Sequence, residues 1–418
     1  MSTSNHIVII GTGIAGLSAA QGVREVDPEV RITLIGEDCY PPYDRTHLSK
    51  QMLKPEARLE ASSLMESEWF DQNDIQLILN TRIEYIDTAA QSISTSVGET
   101  IQYDALVLAL GTRARQLPAS LGQIESTRIH TLRSAEDALR LQGALDDSKR
   151  LVIVGAGLIG LEVAAAARAR GITVDVIEAG SRILQRSCDP YTADRIASLH
   201  AENGVKLHLG QSIESVSESA QGSVTLHMSD GTALEADLMV VGIGVIPNTD
   251  LAESAGIAVD NGVVVDGFGR TNVLNVYAAG DGASLPIQGQ NCLTRLETWR
   301  HAQDHGRCVG MNAAGQQTEY KAHASFWSDQ YENRIQGVGL IYDEIASTLV
   351  RLYESGAHVS FLLDQDRVLK AVLGIDAAKD VNAMGKLVGQ VLSVSDHELK
   401  DEHQPLVPIV KKLLKKVS

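Results

Sequence analysis

The chain has 418 residues, 44% hydrophobic and 21% charged, which places it among folded globular proteins and against disorder or a fibrous repeat. Its net charge of −17 argues against a nucleic-acid binder, since sequence-independent binding to phosphates needs a basic face. No run approaches the ~20 apolar residues of a bilayer span and no basic leader precedes the first apolar segment, while Cys39, Cys188, Cys292 and Cys308 are scattered. That scatter excludes a disulfide framework, a cysteine zinc site and a redox dithiol, so a reducing cytoplasm is expected, with no membrane partner.

At roughly 100–200 residues per domain the length implies two to four domains. In chain order, residues 6 to 37 (HIVIIGTGIAGLSAAQGVREV, then VRITLIGE) read as strand, glycine-rich turn, helix and strand. Gly11 permits the tight turn, Gly13 lets the backbone approach a pyrophosphate, and Gly16 allows close helix–strand packing. Phosphates would rest on amides at the helix N-terminus, where the macrodipole favours negative charge. Glu37 closes the unit, ending the second strand, and its carboxylate can accept from ribose hydroxyls. A lone GxGxxG carries little weight, but here strand, turn, helix, strand and acid fall in order.

An apolar stretch from Ala105 to Leu110 then ends in glycine, and Ala236 to Ile243 resembles it further on. Between them, residues 150 to 178 repeat the first plan, with Gly155, Gly157 and Gly160 in the turn and Glu178 as the acid. A carboxylate there binds the two free hydroxyls of NADH but opposes the extra phosphate of NADPH, so NADH is the expected donor. Two dinucleotide sites in one chain have a chemical purpose. Nicotinamide delivers two electrons as hydride, whereas a flavin accepts them together and releases them singly, which makes the first site FAD's.

After Pro247 come short strands and the segment TNVLNVYAAGD, where Gly280 permits close approach and Asp281 offers an acceptor to a ribityl chain. A helix is predicted from about Glu297 to Ala313. His301 and His305 stand four apart on it, the spacing of a metal pair, but the glutamate of HExxH is missing. They read as helix-surface or core histidines, and no metal is expected. From Ala322 the chain turns β-rich (SFWSDQY, RIQGVGLIY, STLVRLYE, HVSFLLD, VLKAVLG), followed by a helix around Ala377 to Val388. In the tail, Leu406, Ile409, Val410, Leu413 and Leu414 form one helical face opposite four lysines. That helix reads as docked on its own protein, with membrane or partner binding as the alternative.

These segments together resemble the NADH-dependent ferredoxin reductases of bacterial oxygenase systems, relatives of putidaredoxin and rubredoxin reductases within the glutathione-reductase-like flavoproteins. GTGIAG, PPYDRTHLSK, ALVLALGTR, TLRSAEDA, GAGLIGLEVA, VGIGVIPN, VYAAGDGA and FWSDQY carry the resemblance, in that order. It implies an α/β fold with two Rossmann-like dinucleotide-binding domains plus an α+β C-terminal domain. The expected boundaries are 1–116 and 247–321 for FAD, 117–246 for NADH, and 322–418 for the third domain.

The resemblance further implies FAD contacts at Ala15, Glu37, Lys50, Ile83, Arg133, Asp281 and Trp299, with Glu178 at the NADH ribose. Lys50 is expected beside flavin N5, paired with Glu162, where an ammonium stabilises charge arriving with hydride. The helix from Glu297 is expected to direct its positive end at the flavin pyrimidine ring, and Trp327 to lie over or beside the isoalloxazine, shaping electron exit. Related NADH oxidases and peroxidases carry a redox cysteine where Lys50 stands, and Cys39, some ten residues earlier, reads as a buried or partly buried thiol. The implied partner is a small iron–sulfur ferredoxin feeding an oxygenase, with rubredoxin as alternative acceptor. A redox-sensing flavoprotein resembling apoptosis-inducing factor is the rival of another class. The acidic balance departs from the basic surface with which such reductases often meet acidic ferredoxins. A monomer or a homodimer is compatible with the sequence.

Overall fold

A computed structural model describes residues 5–122, 126–219, 222–287, 292–321, 324–339, 341 and 345–417. They form two compact units, one of Met1–His47, Arg58–Arg113 and Val245–Ala324, the other of Leu48–Ala57, Ala114–Gly244 and Ser325–Ser418.

In the first unit the strand His6–Ile10 is buried along its whole length. Strands apolar on both faces belong in the middle of a parallel sheet. Here the order is Val276–Ala278, Ala105–Leu108, His6–Ile10, Arg31–Ile35, Ile75–Ile78, every pairing parallel. The helix Ile14–Val26 leaves the glycine turn and meets the helix Trp299–Ala313 at very short range. Glycines make that approach feasible: a Cβ on Gly306 or Gly310 would run into the carbonyl oxygens of Ala15 and Ala19, and one on Gly22 into that of Arg307. An antiparallel trio, Ile83–Asp87, Ser92–Thr95 and Thr100–Gln102, completes the flank. The helix expected from Glu297 starts two residues later. Thr298 is its N-cap, accepting from the His301 amide at 3.3 Å, which leaves Glu297 outside the helix and paired with Arg295 at 2.6 Å.

The second unit repeats the parallel arrangement with Val205–Leu209, Thr173–Glu178, Arg150–Val154, Leu238–Val241 and Ile129–His130. The apolar stretch 236–243 therefore contributes a strand of four residues, its first part closing the antiparallel trio Ile213–Glu218, Val224–Met228, Ala233–Ala236. The β-rich end of the chain forms a five-stranded antiparallel sheet, ordered Ser325–Gln330, Asn333–Gly339, Leu369–Ile375, His358–Leu363, Ser347–Leu352. Ile335, Leu362 and Leu373 from this sheet share one core with Leu151, Ile153 and Val174 of the parallel sheet, and Leu53 from the short segment 48–57 is buried in it too.

The helix expected over 377–388 runs Ala378–Gly385, ending on the residue with the weakest helix propensity in the segment. The terminal helix Leu406–Val417 buries Leu406, Ile409, Val410 and Leu413 against Val381 and Met384, so its apolar face is covered by its own chain. The side chain of Lys416, residues 322 and 323 at the expected domain boundary, and residues 340 and 342–344 of RIQGVGLIY lie outside the described residues. No described helix is long and apolar enough to cross a membrane.

Two glycine cradles and a buried ion pair

The two glycine turns are built alike. Gly11 (φ +112°) and Gly155 (φ +102°) occupy left-handed backbone and donate to Ile35 O at 2.7 Å and Ile177 O at 2.8 Å, tying each turn to the neighbouring strand. A Cβ on Gly11 would strike the Ala109 carbonyl, and one on Gly155 would come within 2.5 Å of the Gly242 carbonyl. Gly16 and Gly160 are closed in the same way by the carbonyls of Gly11 and Gly155. The middle glycines differ. A Cβ on Gly13 or Gly157 would meet nothing within 4 Å, so open space lies over both turns.

The two helices that follow, Ile14–Val26 and Leu158–Ala169, have no side-chain cap and no acidic residue in their first turn. Elsewhere Ser134, Asp189, Thr298 and Ser395 cap their helices with side-chain oxygens. Leaving the first-turn amides to an outside acceptor, under open space, is what a pyrophosphate requires. Both turns therefore fit a dinucleotide.

Around the first turn, Ala15 packs with Ala109 and Ala302, and Gly280 (φ +75°) stands so close that a Cβ there would lie 2.6 Å from Ala15 Cβ. This brings Asp281 to the N-terminal end of the first helix. His305 accepts the Gly280 amide on Nδ1 at 3.3 Å and stacks on Tyr320, while His301 Nδ1 meets the Tyr320 hydroxyl at 3.0 Å. Both histidines are fully buried, as core residues. Glu37 is exposed, two residues beyond the end of Arg31–Ile35; Ile83 is buried at the start of its strand; Trp299 is the first helical residue of its helix. Cys39 is exposed and not buried, because it stands in the turn beyond that strand, outside the core.

In the second unit Glu178, the last residue of its strand, accepts from the Ala156 amide at 2.8 Å on one carboxylate oxygen and from the Gly180 amide at 2.7 Å on the other. The acid is thus locked onto the turn it serves. Nearby, Arg182 is committed to the carbonyls of Cys188 and Gln185. Arg133 stands just before Ser134, the N-cap of the helix Ala135–Asp146, and its amide donates at 3.0 Å to Asp137, the acid of the capping box.

Lys50 Nζ lies 3.3 Å from Glu162 Oε1 and 4.0 Å from Asp329 Oδ2, as the expected pairing requires. Glu162, only 5% exposed on the helix Leu158–Ala169, also accepts from Ser328 Oγ at 2.5 Å on Oε1 and from Ser49 Oγ on Oε2. Burial pushes its carboxyl above the usual range, opposed by the Lys50 charge and by the two hydroxyls. Ser49, Ser328 and Asp329 were not singled out from sequence. The sequence held no signal for them: in SFWSDQ the strand period puts Phe326, Ser328 and Gln330 on one face and Ser325, Trp327 and Asp329 on the other, each with one aromatic and two polar residues, and only the fold buries Ser328 and Gln330.

Residues 5–306 match the family model described as pyridine nucleotide-disulphide oxidoreductase, and residues 325–410 match the reductase C-terminal model. The ferredoxin–NAD(+) reductase component of the p-cumate 2,3-dioxygenase system of Pseudomonas putida is 37% identical over 96% of this chain and 98% of its own. Rhodocoxin reductase of Rhodococcus erythropolis is 35% identical over 94% of this chain and 92% of its own. Among solved structures, the reductase in the covalent putidaredoxin reductase–putidaredoxin complex superposes with a TM-score of 0.91 at 33% identity, covering 98% of both chains. With two Rossmann-like sheets, each behind a glycine cradle, and an α+β C-terminal part, the chain belongs to the pyridine nucleotide-disulphide oxidoreductase family and carries its reductase C-terminal domain.

Proposed function

We propose that the chain is an FAD-dependent NADH:ferredoxin oxidoreductase that passes electrons to a small iron–sulfur ferredoxin feeding an oxygenase of aromatic-ring dioxygenase or P450 type. The relatives named for dioxygenase systems and for putidaredoxin support the acceptor class. On this reading residues 1–116 and 247–321 hold FAD, 117–246 hold NADH, and 322–418 form a third functional domain. Bound FAD would supply the conversion of one hydride into two single electrons.

The chain's own residues do the rest. Gly11, Gly13, Ala15 and Gly16 offer first-turn amides to one pyrophosphate, with Glu37 and Asp281 as acceptors for hydroxyls and Ile83, Arg133 and Trp299 as further contacts. Gly155, Gly157 and Gly160 serve the second pyrophosphate. Glu178, held by two amides, presents its remaining lone pairs to ribose hydroxyls and repels a 2′-phosphate, which selects NADH. Trp327 is assigned to electron exit. A cytoplasmic setting completes the reading, since the four cysteines are all free thiols.

The observation that carries the proposal is the Lys50 ammonium 3.3 Å from Glu162, in the segment where related oxidases bear a redox cysteine. A fixed positive charge in a partly desolvated place stabilises negative charge arriving with hydride, and no protein thiol takes part. The test is anaerobic titration of the purified flavoprotein with NADH, followed by turnover with a panel of ferredoxins and rubredoxins and cytochrome c as final acceptor. One equivalent of NADH is expected to bleach the flavin, and a ferredoxin to support turnover. A flavin left oxidised under excess NADH would refute the reading; turnover with rubredoxins alone would reassign the acceptor.

A further inference from the structure

Glu162 stands at the end of a hydrogen-bonded chain that reaches well away from Lys50. Ser328 Oγ lies 2.5 Å from Glu162 Oε1, Gln330 Nε2 lies 3.0 Å from Ser328 Oγ, His200 Nε2 lies 2.7 Å from Gln330 Oε1, and Tyr331 OH lies 3.1 Å from His200 Nδ1. His200, Ser328 and Gln330 are fully buried. Chemistry fixes the direction of every link. An ionised carboxylate only accepts, so Ser328 donates to it; Ser328 then accepts from the Gln330 amide NH2. Gln330 Oε1 can only accept, so His200 carries its proton on Nε2 and takes the Tyr331 hydroxyl on Nδ1. All four donors point toward Glu162, and a chain so aligned polarises each of its members.

We propose that Tyr331, His200, Gln330 and Ser328 form a one-way donor relay that keeps the Glu162 carboxylate charged and so holds Lys50 as its ammonium partner. These are positioning residues, and their bearing on electron transfer rests on the function proposed above. A glutamine cannot pass a proton along without exchanging its O and NH2, so the relay conveys polarisation and not protons. Its neutral members suit that role: burial lowers the basicity of His200, and burial pushes the pKa of the Tyr331 hydroxyl up to about 12, with the Arg168 guanidinium opposing. The other charges facing the pair are Asp329, 4.0 Å from Lys50, and Arg334, 3.5 Å from Asp329.

The test follows the protonated-carboxyl stretch of Glu162 by infrared spectroscopy between about pH 5 and 9 in the purified protein, with Glu162→Gln to assign the band. The bond to the carboxylate itself comes from Ser328 and Gln330 only polarises it, so Gln330→Leu should raise the Glu162 titration by roughly a few tenths of a pH unit. His200→Phe, which keeps a ring against Tyr331 where the two now meet edge to face at 5.2 Å, should raise it less, and His200→Gln, which retains an N–H donor, should restore it. The pH profile of flavin reduction by NADH should move with the band. A Glu162 titration unchanged in both Gln330→Leu and His200→Phe overturns the relay. A shifted band with an unshifted reduction profile upholds the relay and removes Lys50 and Glu162 from the reaction.

Discussion

Three glycines in each turn look equivalent in the motif, yet their surroundings assign them different work. Gly11 and Gly16 are closed in by backbone carbonyls, so alanine at either must push the turn off its strand; Gly13 has open space and an ordinary extended φ of −74°. Gly13→Ala is therefore expected to fold with wild-type stability while binding FAD at least about tenfold more weakly, a loss of about 1.4 kcal/mol or more. Gly157→Ala should keep its flavin and lose NADH affinity by a similar factor. Flavin content of the purified variants, together with NADH titration calorimetry, separates the cases; a Gly13→Ala protein that retains full flavin shows that the open space is not the pyrophosphate's. The glycines were legible in the sequence because their roles depend on spacing within a single turn. The serines at Glu162 and the Gln330–His200 link were not, since they join segments more than a hundred residues apart that only the finished fold brings together.

Among elements, the pair Ile14–Val26 and Trp299–Ala313 depends on glycine most. The carbonyls of Ala15 and Ala19 occupy the space that side chains at Gly306 and Gly310 would need, so the two helix backbones touch. Gly310→Ala forces the helices apart and should cost roughly 1–3 kcal/mol, the range for overpacking a tight core. Because Ala15 also abuts Gly280, the same shift moves Asp281 away from the first glycine turn, and weaker flavin retention should accompany the lost stability. Gly143, exposed in the helix Ala135–Asp146 with nothing within 4 Å of its missing Cβ, is the control: Gly143→Ala should stabilise by up to about 1 kcal/mol. Equal effects of the two substitutions on thermal unfolding would contradict this account. The central parallel strands, with residues 7–10, 105–108, 151–154 and 238–241, were legible as uninterrupted apolar runs, whereas Ile75–Ile78 and Val205–Leu209, which alternate with polar residues, were not. What periodicity does not encode is which body a short irregular segment joins, and so the grouping of Leu48–Ala57 with the second unit emerges only from Leu53 seated in that unit's core.

For the molecule as a whole, buried histidines govern the response to acid. Burial lowers His301 to about 4, against a raising influence from Asp281, and holds His305 well below its ordinary value with His301 adding to the effect; the Nε2 atoms of both have no partner among the described residues. In the second unit burial brings His358 to about 4 and lowers His200 as well. A histidine whose folded value is depressed contributes stability that is complete above the unfolded value of about 6.5 and is lost as pH falls toward the folded one. Between about pH 6.5 and 4 the unfolded chain binds the extra protons, so His301 and His358 each remove up to about 1.4 kcal/mol per pH unit, with His305 and His200 acting in the same sense. Glu162 acts in the opposite sense, because its raised value favours the folded state as pH falls, but it is one group against six, since burial lowers His6 and His130 as well. Unfolding temperatures should therefore drop steeply from about pH 6.5 downward and stay nearly level from there to about pH 8. Two compact units need not unfold together, so each calorimetric transition has to be followed separately. His358→Gln, able to keep the bond to Thr192 Oγ1 now 3.0 Å long, should flatten the slope of the second unit's transition alone. An unaltered slope in that variant would mean that the acid sensitivity of this unit originates in groups other than its buried imidazole at His358.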